Sequence, residues 1–212
     1  MEKIIAISDI HGDVVRLAKI INFAKAYNLP VFCAGDISFS ERGPIKAILE
    51  LLNQVKTFFV GGNNERSEFI ESLIKKYDFK NIEVIDLKVK KYKGKIIVGT
   101  GGCEAPYAGT PYEFDEVIRE VELLDLFENY KVSHIDIFLA HSPPFGILDN
   151  LRGSKALRKI VDTFNIDIYI CGHVHELAGS IEIYKETLFV NPGKIGALID
   201  INNKQVDILS SL

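Results

Sequence analysis

Tryptophan is absent from this 212-residue chain, methionine occurs once and cysteine three times. Cys33, Cys103 and Cys171 form no paired framework and none has a CxxC partner. That argues against a disulfide-stapled fold and a thiolate zinc site, and it predicts a reducing, cytoplasmic setting. No apolar run approaches membrane-span length, and the opening MEKIIAISD reaches Ser8 and Asp9 too soon for a signal peptide. A basic surplus is missing too. Lys and Arg number 25 against 29 Asp and Glu, a net charge of −4, so bulk nucleic-acid binding is not expected. Histidine is scarce, five in all, which makes its placement informative.

What is present is ordinary for a globular protein: 47% hydrophobic and 25% charged residues. The length suits a single domain over residues 1–212 with a sizeable core. Lys3–Ile7, Val31–Ala34 and Thr57–Val60 read as buried strands. Each is followed by a helical pattern: from Val14 behind an Asp13 cap, from Pro44 to Leu52, and over Ser67–Tyr77. Strands alternating with helices predict a parallel sheet. Ile82–Ile85, Lys88–Tyr92 and Lys95–Val98 are short strands, the last two a hairpin around Lys93-Gly94. A long loop, 99–114, precedes a helix capped by Asp115 and running to about Tyr130. Strand Ile135–Ala140, helix Ser154–Phe164 and strand Asp167–Cys171 follow. The tail is strand: Gly179–Tyr184, Thr187–Val190, Gly196–Ile201 and Gln205–Leu209. The sum is a β-rich centre with helices outside.

Five apolar strands end in polar residues: IIAI-SDIH, VFCA-GD, TFFV-GGNN, IFLA-HS and IYIC-GHVH. Ligands of open α/β sheets bind beyond the carboxyl ends of the strands. Asp9, His11, Asp36, Asn63, His141, His173 and His175 are therefore expected to converge. Taken singly, each is more often a loop cap, a turn residue or a hydrogen-bonded histidine. Five successive strand ends of this chemistry are not explained that way. Two carboxylates, one amide oxygen and four imidazoles suit first-row transition metals. Seven ligands with one shared carboxylate would serve two ions, a pair able to clamp the attacking and leaving oxygens of a phosphoryl displacement. A hydroxide between them would be a strong nucleophile at neutral pH.

DxH, GD, GGNN, H and GHxH in this order resemble the calcineurin-like metallophosphoesterase superfamily. The likeness runs from Ile4 to about Gly193. GTGG followed by TPYEF, SPPFG after His141, and GSKALR before the last HxH are similar to the small prokaryotic phosphodiesterase-like branch. The resemblance implies a four-layer α/β/β/α sandwich, two stacked mixed sheets flanked by helices. It implies two divalent ions, Mn, Fe, Ni, Co or Zn. Asp9, His11 and His175 would hold one, Asn63, His141 and His173 the other, with Asp36 bridging. It further implies a phosphodiesterase acting on a small phosphoester, with cyclic or linear nucleotides among the candidates. A phosphomonoesterase acting on nucleotides or phosphoproteins is the alternative, and a non-catalytic scaffold a more distant one. A homodimer is the default association.

One departure matters. Many members of that superfamily carry a histidine directly after the metal-binding asparagine, in an acid or charge-stabilising role. Here the position is Asn64, which can hydrogen-bond a phosphate oxygen but cannot donate a proton at neutral pH. Asn64 and His141 are the candidate catalytic residues, and esters with poor leaving groups should suffer most. Glu65 reads as an orienting carboxylate or an ordinary helix-start acid. His134 precedes its strand and should sit at the opposite sheet edge. Tyr107, Tyr112 and Phe114 read as loop packing or as a substrate lid, and Arg42 and Arg152 as solvated arginines or phosphate contacts.

Overall fold

A computed structural model describes residues 2–39 and 43–212. In chain order the first half comprises β1 (Lys3–Ile7), α1 (Val14–Ala26), β2 (Val31–Cys33), α2 (Ile45–Leu52), β3 (Thr57–Phe59), α3 (Ser67–Tyr77), β4 (Ile82–Val84), β5 (Lys88–Tyr92) and β6 (Lys95–Thr100). Then come β7 (Cys103–Glu104), β8 (Glu113–Phe114), α4 (Glu116–Tyr130), β9 (His134–Ala140), α5 (Lys155–Thr163) and β10 (Asn165–Ile170). The tail holds β11 (Ser180–Tyr184), β12 (Thr187–Asn191), β13 (Ala197–Asp200) and β14 (Gln205–Ile208).

Two six-stranded sheets form, in the orders β14-β13-β1-β2-β3-β4 and β11-β12-β10-β9-β6-β5. In the first, β1 to β4 are parallel and β13 and β14 add antiparallel. In the second, β6, β9, β10 and β12 are parallel, with β5 and β11 antiparallel at the edges. Both sheets are therefore mixed, as the sandwich architecture requires.

Side-chain alternation along the strands sets the layers. Ile5 and Ile7 of β1 turn outward and join Leu17, Ile21, Ile48, Leu49 and Ile70 from α1, α2 and α3. Ile4 and Ala6 of the same strand turn inward, with Phe32 and Phe58, to meet Ile137, Leu139, Ile168 and Ile170 of the second sheet. The other face of that sheet, Phe138 and Tyr169, packs on Leu123 and Phe127 of α4 and Leu157 of α5. The order is helix, sheet, sheet, helix. Nearly continuous apolar strands follow from burial on both faces.

Boundaries shift by a residue or two at several ends. Pro44 occupies the N-cap position rather than the first helical turn. The 99–114 stretch differs more. β6 extends into it, and β7 and β8 pair within it. Tyr112 packs against Gly101 and Gly102, and its hydroxyl donates to Asp86 at 2.7 Å. Buried Arg119 of α4 binds Thr100, the Gly101 carbonyl and the Tyr112 hydroxyl. Tyr112 and Phe114 are thus packing residues, and Tyr107 alone of the three stays substantially exposed. Arg42 lies outside the described residues.

Candidate metal centre

The carboxyl ends of β1, β2 and β3 from one sheet and of β9 and β10 from the other meet at one edge of the sandwich. Asp9 and His11 follow β1, Asp36 follows β2, Asn63 follows β3, His141 follows β9, and His173 and His175 follow β10. All seven positions expected to converge do come together, in two sets.

In the first set, His11 Nε2 lies 2.9 Å from His175 Nε2, and His175 Nε2 lies 3.3 Å from Asp9 Oδ1. Ligand atoms of Asp9, His11, Asp36 and His175 all fall within 4.8 Å of one another. In the second set, Asn63 Oδ1 is 2.9 Å from His141 Nε2 and 3.0 Å from His173 Nδ1. Asp36 stands between them. Its Oδ2 is 3.7 Å from His11 Nε2, and its Oδ1 is 3.7 Å from His141 Nε2.

The backbone is bent to achieve this. Asp9, His11, Asp36 and His173 all have positive φ, between 45° and 67°. Non-glycine residues there cost about 1–3 kcal/mol each, and such strain gathers at functional sites. Two glycines make room for carboxylates. A Cβ on Gly62 would collide with Asp36 Oδ1 and the Asp36 amide, and one on Gly172 would lie 2.5 Å from Asp9 Oδ2.

Buried partners orient the site. His141 Nδ1 lies 2.7 Å from the Ala34 carbonyl, which places the proton on Nδ1 and turns the Nε2 lone pair inward. The backbone amide of His173 donates to both oxygens of Asp9. Asn64 gives its backbone N–H to Asp36 Oδ1 at 2.9 Å and its side-chain amide to Asp36 Oδ2 at 2.5 Å. Asn64 thus holds both oxygens of the carboxylate. Glu65 is fully buried, and its Oε1 accepts the Ile37 and Gly62 amides at 3.2 Å each. It clamps the turns carrying Asp36 and Asn63, which settles its reading in favour of orientation.

The electrostatics suit cations. Burial, reinforced by His141, pushes His173 down to about 3. Burial also lowers His11, so both imidazoles are neutral near pH 7, the form a metal takes. Burial acts to raise Asp9, but the His175 hydrogen bond and the nearby His141 outweigh it and hold the carboxyl below its ordinary value. A hydrogen bond from Asp9 raises His175. His173 Nε2 and His11 Nδ1 are buried without a hydrogen-bond partner. Converging imidazole nitrogens, an amide oxygen and a shared carboxylate fit divalent metal in both sets.

At the rim, Tyr107 sets its ring edge on His173, with centroids 4.7 Å apart. Arg152 pairs with Glu176 at 2.6 Å and lies beside Tyr107. Phe39 stacks on His11, with centroids 4.4 Å apart and planes 19° apart. Its position in a loop next to GD gave no sign of this in the sequence. His134 sits at the start of β9, far from the centre as expected, 3.1 Å from Asp167. It belongs to an ion-pair network in which Lys95 meets Asp136 and Lys204 meets Asp167.

The calcineurin-like phosphoesterase profile matches residues 2–177. The chain belongs to that family, whose members use a dinuclear divalent metal site. It is 30% identical to an uncharacterised protein of Methanocaldococcus jannaschii, over 98% of this chain and 95% of that one. Among solved structures, a Thermus thermophilus protein superposes with a TM-score of 0.79 at 17% identity, covering 97% of each chain. An archaeal phosphodiesterase superposes with a TM-score of 0.58 at 14% identity, again over 97% of each. These structural likenesses establish a shared fold. Family, fold and donor sets together make the chain a phosphoric ester hydrolase. Among the described residues no helix is long and apolar enough to cross a membrane.

Proposed function

We propose that this chain is a phosphodiesterase, with Asp9, His11 and His175 holding one divalent ion, Asn63, His141 and His173 a second, and Asp36 shared. The observation that carries the reading is the position of Asp36, 3.7 Å from a ring nitrogen of each set. Ions bound there supply positive charge that polarises the phosphoryl group and acidifies water. The chain's own residues do the rest. Ala34 fixes the His141 tautomer, Asn64 and the His173 amide hold the two carboxylates, and Glu65 ties the Asp36 and Asn63 turns together. Water adds to phosphorus, the P–O ester bond breaks, and the water proton ends on the departing alkoxide. The products are a phosphomonoester and an alcohol.

Asn64, standing where many family members carry a histidine, bears on the leaving group. Asn64 hydrogen-bonds both oxygens of Asp36, and its neutral amide is no acid, so this residue offers no proton to a leaving group. General acid help is typically worth 10²–10⁴-fold, so esters of acidic alcohols should react best. The described rim cations are already paired, Arg152 with Glu176 and Lys194 with Asp13. A solved archaeal phosphodiesterase shares this fold.

The test is hydrolysis of an aryl phosphodiester and the matching monoester by metal-stripped protein refilled with Mn²⁺, Ni²⁺, Co²⁺ or Zn²⁺. His175→Ala is the control. Diester preference that vanishes in the control supports the reading. Monoester preference replaces it with the phosphatase alternative.

A further inference from the structure

Three separate chain segments meet over the Asn63, His141 and His173 set. The 99–114 stretch brings Tyr107, whose ring edge rests on His173. The short turn after β10 brings Glu176, the residue next to His175. The loop between β9 and α5 brings Arg152, which donates to Glu176 Oε2 at 2.6 Å and has Tyr107 beside it. Burial and His141 lower His173 first, and the charge of Arg152 adds to them. A guanidinium therefore stands at the mouth of the centre, within electrostatic reach of a ligand ring.

The backbone is strained to put it there. Leu148, Asn150 and Leu151 all have positive φ, between 43° and 65°. Leucine rarely adopts that conformation, and it persists only where surrounding bonds over-determine the turn. Here the Gly146 amide donates to Asp149 Oδ2 at 2.9 Å, and the Arg152 amide donates to the Asp149 carbonyl at 2.7 Å. Leu151 is 86% exposed, so the bend does not serve to bury it. What the bend presents to the centre is Arg152.

The Arg152–Glu176 pair is exchangeable. The two side chains are 33% and 60% exposed, and an ion pair so open to water adds little to folding. The planar fork of arginine takes an oxyanion through two parallel hydrogen bonds, so an oxyanion of a ligand can stand where Glu176 does. Glu176 orients the fork in the free protein and competes for it in the complex.

We infer that Arg152 recognises a second oxyanion of the substrate, a carboxylate or a terminal phosphate, by exchanging Glu176 for it. This rests on the phosphodiesterase reading for the place of the ester. It adds a substrate class: diesters that carry a further anionic group on one arm.

The experiment has two parts. In the first, Mn²⁺-loaded protein binds 3-phosphonopropionate and its uncharged carboxamide in a calorimeter, so no turnover is needed. Both ligands offer the ions the same phosphonate and differ by one charge. Wild type should favour the carboxylate about three- to tenfold. Glu176→Gln removes the competitor and should widen the ratio. Arg152→Gln leaves Glu176 unpaired and should bring the ratio to one or below. Lys194→Gln, which removes a cation from the other rim, should leave it unchanged. A merely structural pair would move the ratio in the same direction from either side. In the second part, p-nitrophenyl phosphodiesters whose other arm ends in carboxamide, carboxylate or phosphate are compared by KM. Both anionic arms should lower KM in wild type, the larger effect identifies the oxyanion, and Arg152→Gln should level the three. Equal affinity of wild type for the two phosphonates, binding of neither, shifts of the same sign in Glu176→Gln and Arg152→Gln, or loss of the ratio in Lys194→Gln overturns the inference. Charge preference in binding with no diester turnover overturns the hydrolytic reading and leaves the role of Arg152 standing. Diester turnover without charge preference does the reverse.

Discussion

His11 Nε2 and His175 Nε2 face each other at 2.9 Å across 164 positions of sequence. Two ring nitrogens so close need a cation between them or a shared proton, and Asp9 completes the set at 3.3 Å from His175. His175 is the more exposed partner and sits in the short turn after β10, outside both sheets. His175→Ala should therefore fold normally and lose one bound ion of two, read by elemental analysis after dialysis. Retention of both ions would remove His175 from the ligands.

Gly62 lies against Asp36, so a methyl group there must displace both the shared carboxylate and the backbone that carries it. Gly62→Ala should keep the far-ultraviolet circular dichroism of the wild type and lose turnover to the level of Asp36→Ala. Wild-type activity in this variant would show that Asp36 is free to relocate.

Glu65 offers a pH-dependent test. Burial, and then the charge of Asp36, hold its carboxyl well above the ordinary value of 4.5. A carboxyl raised in the folded state stabilises fully below the unfolded value and loses that contribution as pH rises through the folded value. Glu65→Gln keeps an acceptor for the Ile37 and Gly62 amides and cannot ionise. In urea unfolding of metal-free protein its stability relative to wild type should improve from about pH 4.5 upward. Glu65→Ala orphans two buried amides and should cost about 1–3 kcal/mol for each.

Glu113 carries the opposite sign. Its carboxylate accepts the Thr110, Tyr107 and Ala108 amides and the Thr110 hydroxyl. Those bonds, the Thr110 amide first, pull its pKa from 4.5 to about 2. The ordering of the Tyr107 loop should be complete above pH 4.5 and fade as pH falls toward 2. A carboxyl titration of Glu113 by NMR checks this, and a midpoint near 4.5 would show that the loop is not held through it.

The main features of the centre were legible because its ligands sit at strand ends, where local pattern and burial both leave a mark. Asp9, Asp36, Asn63, His141 and His173 each follow a continuous apolar run, and the sheet edge gathers them. What was not legible depends on side chains meeting across the fold. That Asn64 bonds both oxygens of Asp36, or that Glu65 spans two turns, follows from the parallel register of β2 and β3. Phe39 carries no periodic signal, and the stretch 99–114 hides β7 and β8, two-residue strands too short for a pattern. Tyr107 and Tyr112 differ by five positions, yet only the packing of Tyr112 against Gly101 and Gly102 and its bond to Asp86 separates their roles.

The most direct measurement is turnover of an aryl phosphodiester by metal-stripped protein during stepwise refilling with Mn²⁺. Two donor sets sharing Asp36 predict little activity at one equivalent per chain, full activity at two, and a diester rate above that of the matching monoester. Full rate at one equivalent, or a faster monoester, would contradict the account.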